Sequence, residues 1–300
     1  MSNLTFSFSG IYGKVFGKDK LLVEGTNFSL KENSSLAIIG ESGSGKSMLG
    51  LSIIDNLPSN CNINDYKLII DEENILKKDV KKLLGKEIIY IPQFGLEHLN
   101  QSLKLKKSFY DILKIKGFNK KNYLEEIKNR LNLVKIDDLS ILDKYPFEIS
   151  GGTAQKLILA ISYSENVKLV IADEMTNGID ENSKNELSNL FFELYKNSTK
   201  IVITHDLDLA KKCDEIMIMN DSIIIEKGTK DILECPKAPY LTAFLESSAS
   251  NETKAFHILR DEESNCPFYK RCQAANENCK NEIPKHLENN HYWRCIYDWN

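Results

Sequence analysis

The eight residues Gly40-Glu41-Ser42-Gly43-Ser44-Gly45-Lys46-Ser47 constrain this chain more than any other segment. They follow the apolar run Leu36 to Ile39 and precede a helical pattern from Met48 to Leu57. A strand, a glycine-rich turn and a helix in that order make a phosphate-binding P-loop. The glycines let backbone N–H groups turn inward around phosphate oxygens, and the helix start adds its positive dipole end. Lys46 is then expected to reach the β- and γ-phosphates, and the Ser47 hydroxyl to ligate magnesium. Gly40, Ser42, Gly43, Ser44, Gly45 and Met48 complete the expected nucleotide cradle.

The rest of the chain suits an α/β protein. Short Ile- and Val-rich runs, at Leu4 to Phe8, Leu36 to Ile39, Ile88 to Ile91, Leu169 to Ala172, Ile201 to Ile203 and Glu215 to Met219, alternate with longer helical patterns. That alternation predicts a parallel or mixed sheet wrapped by helices. No strand is evident between about 95 and 150, where Tyr123, Ile127, Leu131 and Val134 recur at helical spacing, so a helical insertion is expected there. With 300 residues, 42% hydrophobic and 27% charged, the composition is that of a soluble globular chain able to bury a core. No apolar run approaches the roughly 20 residues of a bilayer-spanning helix, and Met1 to Phe8 lacks the pattern of a secretory signal.

A net charge of −4 argues against a nucleic-acid partner. The charge is unevenly placed, however. Residues 77 to 135 hold 15 Lys/Arg against 6 Asp/Glu. Such a stretch reads either as a solvated helical face or as a surface turned to anionic lipid or a membrane-embedded partner.

A P-loop needs an acidic partner, and Leu169-Val170-Ile171-Ala172-Asp173-Glu174 supplies two carboxylates at the end of a buried strand. Asp173 is expected to hold magnesium, directly or through water. Glu174 points differently and can orient or deprotonate the attacking water. Upstream, Ser150-Gly151-Gly152 with Gln155 precedes the helical pattern Leu157 to Tyr163. In this order and spacing the motifs resemble the nucleotide-binding subunits of ATP-binding-cassette (ABC) transporters, whose signature motif sits here and contacts the γ-phosphate held by the opposite subunit.

The resemblance covers about residues 4 to 245 and extends to further motifs. Pro92-Gln93 matches the Q-loop, whose glutamine reaches the metal and water region. Asn177-Gly178-Ile179-Asp180 matches the D-loop, and Thr204-His205-Asp206 places His205 as the switch histidine. The resemblance implies Lys46, Gln93, Glu174 and His205 as catalytic residues, Ser47, Gln93 and Asp173 around magnesium, and Ser150, Gly151, Gly152, Gln155 and Asp180 at the nucleotide. For the aromatic that stacks on adenine, Phe8 is the first choice, with Tyr12 and Phe16 as alternatives. Met175 stands where the family usually has Pro, and Asn177-Gly178 replaces a small pair, which bears on the cross-subunit contacts. Asn33 stands where a turn glycine is usual, and Asn tolerates positive φ.

Cysteines lie at 61, 213, 235, 266, 272, 279 and 295. Disulfides do not suit a cytoplasmic chain, and Cys61, Cys213 and Cys235 read as packing residues. The tail with Cys266, Cys272, Cys279 and Cys295, together with Pro239-Tyr240, resembles the C-terminal extension of the oligopeptide, dipeptide and nickel import subfamily. That resemblance implies a four-cysteine site holding a [4Fe-4S] cluster, with zinc or no metal as alternatives and His291 as a substitute ligand.

The expected architecture is a P-loop NTPase core with a mixed sheet over residues 1–245, a helical subdomain over about 95–165, and a cysteine-bearing extension over 246–300 behind a linker at Ser247 to Asn251. The implied function is an ATPase subunit energising import, of peptides first and nickel or a nickel chelate second. A soluble ABC ATPase that moves no solute is the alternative of another class. Implied cofactors are ATP and Mg. Implied partners are a second ATPase subunit, two permease subunits and an extracytoplasmic solute-binding protein, with the chain peripheral on the cytoplasmic face of a bacterial membrane.

Overall fold

The structure is a computed structural model that describes residues 2–15, 17–93, 95–249 and 264–297. Two long strands, β1 (Ser2–Val15) and β2 (Lys18–Lys31), form an antiparallel hairpin before β3 (Ser35–Gly40) and the P-loop helix α1 (Lys46–Ile53). Then come β4 (Cys61–Asn64), β5 (Lys67–Ile70), β6 (Glu73–Ile75), α2 (Lys77–Leu83) and β7 (Ile88–Ile91). Helices α3 (Leu105–Ile115), α4 (Tyr123–Leu133) and α5 (Gly151–Ser162) follow, joined by short 3-10 turns. The chain returns to the sheet through β8 (Leu169–Asp173), α6 (Glu181–Leu194), β9 (Thr199–Ile203), α7 (Leu207–Ala210), β10 (Glu215–Asn220) and β11 (Ile223–Thr229). It closes with α8 (Pro239–Ala249), β12 (Lys285–Glu288) and β13 (His291–Arg294).

The larger sheet is mixed. Its order is β12-β13-β11-β10-β3-β9-β8-β7, parallel from β10 to β7 and antiparallel from β10 to β12. The parallel strands are buried on both faces, which explains their unbroken apolar runs. Alternate residues serve opposite cores. Leu36, Ile38, Leu169, Ile171, Ile201 and Ile203 face the smaller antiparallel sheet of β2, β1, β5 and β6, with β4 on β1. Ala37, Ile39, Val170, Ala172 and Val202 face the helices, in one continuous core with Phe109, Ile127, Leu157 and Phe191.

One expectation about the tail changes here. Ser247 and Ser248 belong to α8 rather than to a linker, while residues 250 and 251 lie outside the described ones. The tail also joins the main sheet: β13 pairs with β11, so two tail strands lengthen it. Charged contacts reinforce the join, with Arg294 and Lys285 both on Glu24 of β2. Of the basic stretch, two members are not solvated. Arg130 is buried, donating to Glu126 Oε1 (2.7 Å), Ala160 O (3.1 Å) and Tyr163 O (2.6 Å). Lys116 donates to Ser162 O (2.9 Å) and Tyr163 O (2.6 Å). Together they satisfy the free carbonyls at the C-terminus of α5. Among the described residues, no helix is long and apolar enough to cross a membrane.

Candidate nucleotide site

The P-loop wraps from the end of β3 into α1. Gly40 passes so close to β10 that a Cβ there would meet Met219 O at 2.1 Å. Gly45, which begins α1, has φ 99°, a conformation that side-chain-bearing residues avoid. Lys46 folds back over the loop, its Nζ donating to Gly40 O and Glu41 O, both at 2.8 Å. Burial lowers its pKa, a tendency opposed by the carboxylates of Glu174, Asp173 and Glu41.

Asp173, at the end of β8, is buried and accepts from Ser47 Oγ (3.1 Å) and Tyr90 Oη (2.9 Å). Burial raises its pKa and the two hydroxyl donors oppose that. Ser47 Oγ and the Asp173 carboxylate are the hard oxygen donors that magnesium prefers, so the residues fit that ion. Glu174 departs from the strand with φ 50°, a left-handed conformation uncommon outside glycine. Its backbone N–H stays tied to Ile203 O at 2.9 Å while its side chain turns into the cavity. There its Oε2 lies 2.7 Å from His205 Nδ1, and this hydrogen bond raises the histidine pKa.

A cavity of about 460 Å³ collects Ser42, Gly43, Gly45, Lys46, Ser47, Met48, Gln93, Glu174, Asn177 and His205. Lys20 and Leu22 of β2, and Asp221 and Ser222 of the β10–β11 turn, also line it and went unread in the sequence. Tyr90 was missed too; its signal is a phenol two residues before Pro92, in register with Ile171 on the strand that carries Asp173.

The aromatic assignment is corrected. Phe8 is 5% exposed, packs on Phe6 at 5.4 Å between ring centroids, and is not part of the cavity. Tyr12 is exposed but does not line the cavity either, and Phe16 lies outside the described residues. Phe8 was misplaced because its strand runs seven residues further, to Val15, before the hairpin turns.

A second, smaller cavity of about 260 Å³ holds Ser150, Gly151, Gly152, Gly178, Ile179 and Asp180. The Asp180 carboxylate caps α6, accepting from Ser183 N at 3.1 Å. Gln155 is buried and lines neither cavity. One chain therefore presents the residues of its phosphate-binding motifs in two separate places. Asn33 takes φ 60° in the turn before β3.

In the tail, burial pushes the Cys266 thiol up to about 11, and the nearby Cys279, Cys272 and Cys295 push the same way. Cys272 and Cys295 are raised by burial as well. Cys279, Cys272 and Cys295 thus lie within electrostatic reach of Cys266. They are not gathered as ligands: among the described residues no three His, Cys, Asp or Glu side chains form a group that could hold a metal. The donor types suit an iron–sulfur cluster, but their placement does not amount to a cage for one. His291 has its Nε2 engaged, 2.7 Å from Oε1 of the fully buried Glu226, so that only its Nδ1 could serve a metal. Cys213 is buried as a packing residue, whereas Cys235 is exposed.

A family model described as "ABC transporter" matches residues 23–177. Among curated proteins, the chain is 30% identical to the oligopeptide transport ATP-binding protein OppD of Haemophilus influenzae, over 86% of this chain and 85% of that protein. It is also 30% identical to the metal-staphylopine import system ATP-binding protein CntD of Staphylococcus aureus, over 81% of this chain and 92% of that one. Among solved structures, the dimeric post-hydrolysis state of the ATP-binding cassette MJ0796, bound to ADP and Pi, superposes with a TM-score of 0.64. That match covers 75% of this chain and 98% of the other at 19% identity, and it shows the fold. With the family matched over half the chain and the relatives over most of it, this protein belongs to the ABC transporter family and is an ATPase of that family.

Proposed function

We propose that this chain is the ATP-hydrolysing subunit of an importer, and that two nucleotide-binding subunits close head to tail over ATP. The observation that carries the reading is the split of the phosphate-binding motifs between two cavities of one chain. A triphosphate in the first cavity has the P-loop on one side. The start of α5, with Ser150, Gly151 and Gly152, supplies the other side from a second subunit, its N–H groups directed at the γ-phosphate.

Within the first cavity each residue has a role set by its position. Lys46 exchanges its two carbonyl acceptors for β- and γ-phosphate oxygens, a charge-assisted pairing stronger than the bonds it leaves. Ser47, Asp173 and Gln93 would hold magnesium, which would neutralise charge developing on the phosphate oxygens. Glu174 accepts a proton from the attacking water, and His205 fixes the carboxylate by the 2.7 Å bond. Replacing Glu174 by Gln removes the acceptor and keeps the shape. Turnover should fall roughly 100- to 10,000-fold while ATP binding persists, measured as phosphate release and as retained nucleotide. Unchanged hydrolysis would remove Glu174 from this role.

The helical subdomain over about 95–165 docks on a permease subunit at the cytoplasmic face of the membrane and passes closure on to it. Peptide is the favoured cargo, supported by the likeness to OppD over most of both chains. A metal chelate is the second reading, favoured by the equal identity to CntD. The cargo itself would be selected by the permeases and an extracytoplasmic binding protein. For the tail we propose the thiols of Cys266, Cys272, Cys279 and Cys295 as ligands of an iron–sulfur cluster. Loading would have to draw them together and remove their protons, which their burial opposes. Anaerobically purified protein should then contain iron and sulfide, lost in Cys272→Ser; stoichiometric zinc would contradict the assignment.

A further inference from the structure

The cysteine-bearing tail touches the P-loop itself. Arg271, one residue before Cys272, forms a two-pronged ion pair with Glu41, the second residue of the P-loop: Nη1 to Oε1 at 2.6 Å and Nη2 to Oε2 at 3.1 Å. Both side chains are only 15% exposed. A guanidinium forked onto a carboxylate away from solvent fixes direction as well as distance.

The ion pair is braced from both ends. On the tail side, the Arg271 guanidinium lies 5.0 Å from the centre of the buried Phe268 ring, and Cys272 N donates to Phe268 O at 2.9 Å. Phe268 meets the buried Tyr240 edge-on at 5.4 Å. On the P-loop side, Glu41 N donates to Tyr240 Oη at 3.4 Å, and Glu41 O accepts from Lys46 Nζ at 2.8 Å. The remainder of the tail is anchored separately, by the β11–β13 pairing and by His291 on Glu226. Arg271 is therefore held by a seated structure.

We infer that Arg271 is a positioning residue for nucleotide binding: by clamping Glu41 it couples the cysteine site at Cys266 and Cys272 to the phosphate-binding loop. A change of state at those thiols moves Phe268 and Arg271, and the loop that carries Lys46 responds. Coupling of this kind is reciprocal in free energy, so nucleotide in the loop is expected to change the environment of the thiols in turn.

The test uses the full-length chain without partners, magnesium with the non-hydrolysable analogue AMP-PNP, and N-ethylmaleimide as the thiol probe. Calorimetry gives nucleotide affinity, and peptide mass spectrometry gives the labelling rate at each cysteine. Arg271→Gln should weaken AMP-PNP binding roughly 5- to 50-fold, a range ordinary for coupled sites, and Arg271→Lys should fall between, keeping the charge but not the fork. In the wild-type chain AMP-PNP should slow labelling of Cys266 and Cys272 several-fold, and in Arg271→Gln that protection should vanish.

Wild-type affinity in Arg271→Gln would overturn the inference, and so would wild-type labelling that ignores nucleotide. A purely structural Arg271 would lower the melting temperature without separating thiol labelling from nucleotide. Should Arg271→Gln not fold, Arg271→Lys and the wild-type labelling decide by the same criteria. The inference rests on nucleotide occupying the P-loop. Lys46→Ala checks that separately: loss of binding there with wild-type binding in Arg271→Gln defeats the coupling while the proposed function still stands.

Discussion

His205 and Glu174 are hydrogen-bonded in the first cavity, where the proposed function places the chemistry, and their geometry carries a pH signature. A carboxylate 2.7 Å from the imidazole favours the protonated ring, so the His205 pKa lies above the ordinary value of about 6.5. The sign follows. The charged hydrogen bond is fully present below that ordinary value and is lost as pH rises through the raised one. An NMR titration of the His205 ring should show the elevated midpoint in the wild-type chain and a return toward about 6.5 in Glu174→Gln. An unshifted midpoint in the wild-type chain would mean the two side chains are not paired in solution. The gathering of Lys46, Ser47, Glu174 and His205 in one cavity, with Asp173 bonded to Ser47, was legible in the sequence, because a P-loop and a strand-end carboxylate pair leave few alternatives. Tyr90 and the Arg271–Glu41 pair were not. Each depends on side chains from distant segments meeting in space, the second across 230 residues, and no local pattern encodes that.

The helix α5 shows what an element needs beyond its own periodicity. Its N-terminus lines the second cavity, and its C-terminal carbonyls are held by Arg130 and Lys116 from neighbouring segments. Arg130 is 3% exposed and paired with Glu126. Arg130→Ala unpairs the partly exposed Glu126 and leaves the helix-end carbonyls without their donor, and should cost about 2 kcal/mol of stability in urea denaturation. A loss under about 1 kcal/mol would mean the helix end is secured without it. The parallel strands were legible as apolar runs because both faces are buried. The antiparallel ones were harder. β12 is exposed and polar, and β2 is exposed along its first half, so neither offers clean alternation. Their turns did carry a signal. Asn289-Asn290 and Asp221-Ser222 both take positive φ in two-residue hairpin loops, the conformation such pairs favour. The Asn-Asn pair between Leu287 and Tyr292 was open to that reading, and with it the sheet-forming tail.

At the scale of the whole molecule, one sheet ties the P-loop, the acidic strand and the tail together, yet leaves the signature residues in a cavity of their own. If the two cavities are halves of one catalytic site, as proposed, symmetry-related association is the economical way to complete both. On the proposed function, activity belongs to a pair of subunits. The decisive measurement is ATP turnover per chain across a range of protein concentrations, with the association state followed by sedimentation in the same samples. Turnover per chain should be nearly absent where the protein sediments as a monomer and should rise with the paired fraction. Full turnover by a sedimenting monomer, constant over the whole range, would contradict the account.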